Sequence, residues 1–285
     1  MITKELKTFT MRSIFITLFS ILIVTSACRN KDIIRPGDPL NVAYDKSVAL
    51  FEEGKYGDAA YGFDLVTRMG RGTNFSKDAQ YYLGESYYNN KQYIIAAAEY
   101  ERFISYYPLD EKREEVEYKL ALCFYEQSPR YRLDQTPTIR AIQLFQLFNT
   151  KYPDSEYVVE SATRIDELRN KLARKAFESG EFYLRTNRYL AASIYYDQVI
   201  DQFPESKWAE SSLLKQIETY IDYADNSVVE KQVERYTMAV DNYEKFIQLF
   251  PQSLRRGDAE SMYSDAIKKI DAVNVITSEN TLGSN

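Results

Sequence analysis

The chain has 285 residues, 45% of them apolar and 27% charged, and carries a net charge of −6. This is ordinary globular composition with enough length for one or two domains, and the acidity speaks against nucleic acid as a partner, because that binding rests on phosphate neutralisation by Lys and Arg. Histidine is absent from the sequence, which removes Ser-His-Asp and Cys-His catalysis and histidine-ligated metals.

Residues 1–27 read as a signal peptide. Lys4, Lys7 and Arg12 form a basic start, and an eleven-residue apolar run, Ile14–Val24, follows. That run suits a signal h-region and falls short of the roughly 20 residues a spanning helix needs. Thr25, Ser26 and Ala27 are small, and Cys28 comes directly after them. This arrangement resembles a bacterial lipoprotein signal, in which the cysteine becomes the lipidated N-terminus. Residue 29 is Arg rather than the Asp of an inner-membrane retention signal, so the analogy points to the outer membrane, with the protein facing the periplasm. Residues 28–40 contain Pro36, Gly37 and Pro39 and read as a flexible tether.

Residues 41–272 carry an internal repeat. From Tyr189, Ala192 falls at +3, Tyr196 at +7, Val199 and Ile200 at +10 and +11, Phe203 at +14 and Pro204 at +15. Steps of three and four place these residues on one helix face, and the proline ends the helix. The same spacing starts at Tyr93, Thr138 and Tyr236, and more weakly at Tyr56, where Gly70 and Arg71 replace the final aromatic and proline. The prolines at 108, 153, 204 and 251 lie 45, 51 and 47 residues apart. Each such helix needs an antiparallel partner upstream. There, Gly84 and Gly180 stand nine residues before Tyr93 and Tyr189, with Ser47 at that offset before Tyr56. A small residue at this place lets two helices approach closely. The pattern is similar to the tetratricopeptide repeat and predicts an all-α, superhelical solenoid of about five helix pairs.

Pro153-Asp-Ser155, Pro204-Glu-Ser206 and Pro251-Gln-Ser253 offer serines to cap the following helices. Residues 162–187 predict one long helix, or two coaxial ones, joining the third repeat to the fourth, with Arg164, Asp166, Glu167, Arg169 and Lys171 on its exposed face. The turn between the helices of the third repeat is stretched through Ser128–Thr136, and the fifth repeat is stretched over Ile221–Gln232. Residues 273–285 are polar, without periodicity, and read as a disordered tail.

A lipidated cysteine ahead of about five such repeats resembles the BamD (ComL) family, lipoproteins of the β-barrel assembly machinery. The resemblance is densest over residues 130–190: Leu133-Asp134-Gln135, Thr138, Ala141, Phe145, and Tyr152-Pro153-Asp154-Ser155-Glu156-Tyr157, continued by Ala162-Thr163-Arg164, Leu168, Leu172-Ala173, Glu178 and Tyr183. It implies a scaffold that binds a BamA-like β-barrel component and unfolded outer-membrane proteins, and that needs no cofactor and is no enzyme.

Candidate contacts follow from what departs from the repeat. Tyr44, Phe51, Tyr81, Tyr82, Tyr87 and Tyr88 either pack between helices or line a peptide-binding groove. Arg130, Arg132 and Asp134 in the long turn serve either as a docking surface or as an internal brace. Arg255 and Arg256 either meet an acidic partner or are solvated. Cys123 reads as a small core residue. The acidic pairs Glu114-Glu115 and Asp222 with Asp225 have no accompanying nucleophile, phosphate loop or metal cluster, and read as solvated helix faces. Two other functions share this architecture: a cell-envelope adaptor for division or wall synthesis, and a glycan-binding surface lipoprotein, the latter usually larger.

Overall fold

The computed structural model describes residues 34–282; the signal segment and Cys28 lie outside the described residues. All regular elements among them are α-helices, and the chain divides into two compact units, one ending at Leu109 and one beginning at Asp110. The first unit holds α1 (Leu40–Glu52), α2 (Tyr56–Met69), α3 (Asn74–Asn89) and α4 (Tyr93–Tyr106). The second holds α5 (Arg113–Gln127), α6 (Thr136–Lys151), α7 (Val158–Arg185), α8 (Tyr189–Gln202), α9 (Ala209–Asp225), α10 (Val229–Leu249) and α11 (Arg256–Leu282). Within each unit consecutive helices form pairs, and first helices of successive pairs also touch: α1 with α3, α7 with α9, and α9 with α11. This is an array of tetratricopeptide-like helix pairs.

The repeat spacing governs the second helix of each pair. Helices α2, α4 and α8 begin at Tyr56, Tyr93 and Tyr189, the first residue of the pattern. The residue before each proline then leaves the helix in the same way. Tyr107, Tyr152, Phe203 and Phe250 have φ between −125° and −136° and ψ between 50° and 65°. The pyrrolidine ring that follows excludes the α region for all four. In the first pair, which lacks the proline, α2 stops instead at Gly70.

The turns into α2, α4 and α8 are copies of one another. Gly54, Lys91 and Asn187, each two residues before the pattern begins, have φ of 75°, 59° and 56°. The next residue donates its N–H back across the turn at 2.9 Å: Lys55 to Leu50 O, Gln92 to Tyr87 O, Arg188 to Tyr183 O. These are helix C-caps with a left-handed residue, of which only the first uses glycine.

Close approach depends on Gly84 and Gly180. A Cβ on Gly84 would stand 2.5 Å from Tyr100 Cε1, and one on Gly180 would stand 2.6 Å from Tyr196 Cε1. Both rings are fully buried. Each ring's hydroxyl donates at 2.6 Å to the glutamate following the glycine, Tyr100 to Glu85 and Tyr196 to Glu181. Burying such a ring contributes about 1.5–3 kcal/mol, and the glutamate satisfies the polar atom carried in with it.

Residues 162–187 fall on one 28-residue helix, α7. Its length follows from two sets of neighbours. Ile165, Leu168 and Leu172 join the core of α5 and α6, whereas Ala173, Ala176 and Phe177 pack with Val199 and Phe203. Its charges are not simply solvated: Arg164 stacks over Tyr125 at 4.4 Å, Arg169 Nη2 donates to Gln202 O at 2.7 Å, and Lys171 Nζ donates to Ser128 Oγ at 2.7 Å.

Three expectations are corrected. The end of the tether is docked rather than loose. Ile34 is buried in the first core, and Asp38 accepts from Arg35 N (3.0 Å) and Lys46 Nζ (2.8 Å), which hold its carboxyl below the usual range, Lys46 foremost. The tail is helical through Leu282, because Val273 is buried against the last core; residues 283–285 lie outside the described residues. The serines act two residues earlier than an N-cap. Ser155 Oγ accepts from Tyr157 N and Ser253 Oγ from Arg255 N, while the helices begin at Val158 and Arg256. Ser206 Oγ is buried with no partner among the described residues.

Candidate functional site

The six candidate groove aromatics all fall in the first unit, on α1 and α3, and all are half-buried. The structure brings three of them together. Phe63 of α2 stacks on Tyr82 at 5.3 Å and meets Tyr44 at 6.0 Å, and Phe51 stands edge-on to Tyr82 at 5.4 Å. Burial pushes the Tyr44 hydroxyl up to about 12, with Asp78 adding to the shift. The others have partners outside this group, though Tyr81 also touches it, edge-on to Tyr82 at 5.4 Å. Tyr81 packs on Phe103 at 6.2 Å, Tyr88 on Tyr93 at 5.4 Å, and Tyr87 lies near Asp64 and Glu99 with its hydroxyl also raised, by burial first. Tyr44, Phe51 and Tyr82 therefore form one aromatic group, each with part of its surface open to solvent.

The first unit also contains a cavity of about 620 Å³ over α3, walled by Asp64, Arg68, Arg71, Glu99 and Arg102. Two of its arginines are committed: Arg68 to Asp64 and Arg102 to Glu99, both at 2.6 Å. Buried Gln80 adds a 2.9 Å bond to Glu99.

In the second unit the long turn of the third repeat is ordered by its own side chains. Buried Gln135 donates to Arg130 O and Leu133 O, both at 3.0 Å, and accepts from Thr138 at 2.8 Å. Asp134 accepts from Thr136 N at 3.1 Å, and its hydrogen bonds to Thr136 hold its carboxyl below the usual range. Lys175 Nζ clips Leu133 O at 2.6 Å from α7. Asp134 thus braces the turn. Arg130 and Arg132 project into two neighbouring cavities, with Tyr131 shared between them. One, about 380 Å³, also contains Lys175, Phe182, Tyr183 and Tyr195. The other, about 430 Å³, is lined by Arg130, Tyr131, Lys171, Arg174, Lys207 and Trp208 among others.

Arg255 and Arg256 belong to neither cavity. Arg255 Nη1 donates to Ser211 Oγ at 3.1 Å, and Arg256 pairs with Glu260 at 2.8 Å. Cys123 is fully buried. Among the described residues no group of side chains is arranged to hold a metal ion, and no helix is long and apolar enough to cross a membrane.

Sequence reasoning missed the cluster around Trp208. The available signal was the lone tryptophan, directly after Lys207 and two residues past a repeat serine. Its partners Tyr131 and Arg174 lie 77 and 34 positions away, which no local pattern connects.

Three curated relatives span most of this chain. The outer membrane protein assembly factor BamD of Caulobacter vibrioides is 25% identical over 212 residues, covering 72% of this chain and 70% of that protein. The corresponding protein of Rickettsia prowazekii is 26% identical over 208 residues, covering 72% and 82%. A putative outer membrane protein assembly factor BamD of Aquifex aeolicus is 28% identical over 246 residues, covering 80% of each chain. The family model described as YfiO, outer membrane lipoprotein, matches residues 36–235, a span that runs from the docked end of the tether into α10 and takes in both units. The chain therefore belongs to the YfiO family of outer membrane lipoproteins.

Proposed function

We propose that this protein is a lipid-anchored scaffold of the outer-membrane β-barrel assembly machinery. In this reading Cys28 carries the lipid, the helical array faces the periplasm, and it binds a BamA-like β-barrel component and unfolded outer-membrane proteins. The supporting observation is the family match across residues 36–235, together with relatives named as assembly factors. The Tyr44, Phe51 and Tyr82 group supplies partly open aromatic surface of the kind that aromatic-ended segments of barrel proteins would use. The protein acts by holding other proteins and performs no chemistry of its own.

Depletion followed by quantification of outer-membrane barrel proteins tests the reading, with affinity capture from detergent-solubilised membranes alongside. Barrel levels should fall, and the capture should recover a large β-barrel protein with periplasmic repeats. Unchanged barrel levels with clean recovery of bait alone would sink the proposal.

A further inference from the structure

The 430 Å³ cavity between the long turn, α7 and the start of α9 has a charge opposite to that of the chain. Arg130, Lys171, Arg174 and Lys207 line it, against the single carboxylate of Glu167. One oxygen of that carboxylate accepts from the Tyr125 hydroxyl at 2.6 Å, and four cations against one anion leave the lining positive. Arg130 and Lys207 are exposed, with no side-chain hydrogen bond or ion pair among the described residues. Lys171 is half-buried, and that burial holds its ammonium below the usual lysine range. A cation in such a place gains from an incoming anion more than a solvated one does.

The second property is aromatic. The Arg174 guanidinium lies 4.3 Å from the centroid of Tyr131 and 5.7 Å from that of Trp208. Trp208 is backed by Phe177 at 5.0 Å, so its ring is held by the core. A guanidinium stacked on ring faces keeps its edge N–H groups for a carboxylate, and its ion pair with Glu178 is loose at 3.7 Å. The volume is at the small end of ligand cavities and suits a pair of side chains.

We infer that this cavity docks an acidic peptide segment of a partner protein, one that presents a carboxylate side chain beside an aromatic one. The carboxylate meets Arg174 and Lys207, and the aromatic ring packs beside the guanidinium against the edges of Tyr131 and Trp208, whose faces Arg174 shares. A bare phosphate would leave the rings unused. The inference does not depend on the assembly role, because it concerns binding by the isolated chain.

Trp208 is the only tryptophan in the protein, so its fluorescence reports on this cavity alone. The full chain in detergent is titrated with acetyl-Glu-Phe-Glu-Phe-Glu-amide, with excitation at the red edge of the indole band, where tyrosine does not absorb. A saturable change is expected, with the Gln-for-Glu peptide about tenfold weaker or worse. Lys207→Gln removes an exposed cation and should weaken the Glu peptide about three- to tenfold. Arg174→Lys keeps the charge but loses the planar fork, and should weaken it as well. Helical circular dichroism verifies the fold of each variant. If Arg174→Lys unfolds, Lys207→Gln carries the test. Equal response to both peptides, no response, or no effect of Lys207→Gln overturns the inference. An equal response to inorganic phosphate reassigns the cavity to simple anions, and one to dihexanoylphosphatidylglycerol reassigns it to lipid headgroups; either outcome also overturns it.

Discussion

Substituting Gly84 by alanine would place a methyl group 2.5 Å from Cε1, 2.7 Å from Cδ1 and 3.3 Å from Cζ of Tyr100. Carbon atoms in contact stand about 3.5–4.0 Å apart, so the ring or the helix must move by roughly 1 Å. The ring has nowhere to go: it is fully buried, and its hydroxyl is fixed to Glu85 at 2.6 Å. Overpacking of this kind costs about 1–3 kcal/mol. Alanine recovers up to about 1 kcal/mol of helix propensity, which leaves a net loss of about 0–2 kcal/mol and keeps the full overpacking cost of about 1–3 kcal/mol as the deficit against an unhindered glycine-to-alanine change. Gly57→Ala is the control. Gly57 is helical and exposed, and its nearest contact for a new Cβ is Asn90 Nδ2 at 3.9 Å, so it should gain stability or stay neutral. Urea unfolding followed by helical circular dichroism measures both. A Gly84→Ala protein as stable as Gly57→Ala would refute the claim that the glycine is required by packing. Gly180→Ala, against Tyr196, should repeat the result in the second unit.

Lys91 sits in the left-handed position that Gly54 occupies in the first pair, so Lys91→Gly should stabilise by about 0.5–1 kcal/mol in the same assay, strain relief exceeding the entropy cost of glycine. Ser206→Ala should be neutral or slightly stabilising, because its buried Oγ has no partner among the described residues. Ser253→Ala should instead cost about 1 kcal/mol, since Ser253 Oγ accepts from Arg255 N at 2.9 Å and donates to Glu210 at 2.6 Å. Burial pushes the Tyr118 hydroxyl up to about 12. Its folded value lies above the ordinary value of 10.0, so its contribution to stability is complete below that pH and is lost as pH rises toward 12. Tyr118→Phe should therefore flatten the fall in thermal stability on the alkaline side, and an unchanged slope would count against the assignment.

Much of the fold was legible because the repeat writes the same physical instruction several times. The steps from Tyr93 to Pro108 and from Tyr189 to Pro204 specify an apolar face and a stop, and both act within one helix. Gly84 and Gly180 were readable for the same reason, as a small residue at a constant offset from the next helix. Ile34 and Val273 were not legible in this way. Each is a single apolar residue in a stretch whose composition suggested a loose tether or tail, and only a neighbouring core explains its burial.

The candidate site divides along the same line. The sequence by itself determined an all-α array, its pairing and its helix ends, since these depend on contacts within a helix or between chain neighbours. Only the tertiary structure decided which side chains face a common space. It gathered Tyr44 and Tyr82 on Phe63 with Phe51 against Tyr82, turned Asp134 into a brace, and engaged Arg255 and Arg256 within their own neighbourhood. It also set Tyr131 and Trp208 about the guanidinium of Arg174. Such convergence joins residues that are distant along the chain, and the packing of one helix pair on the next, rather than any local spacing, brings them together.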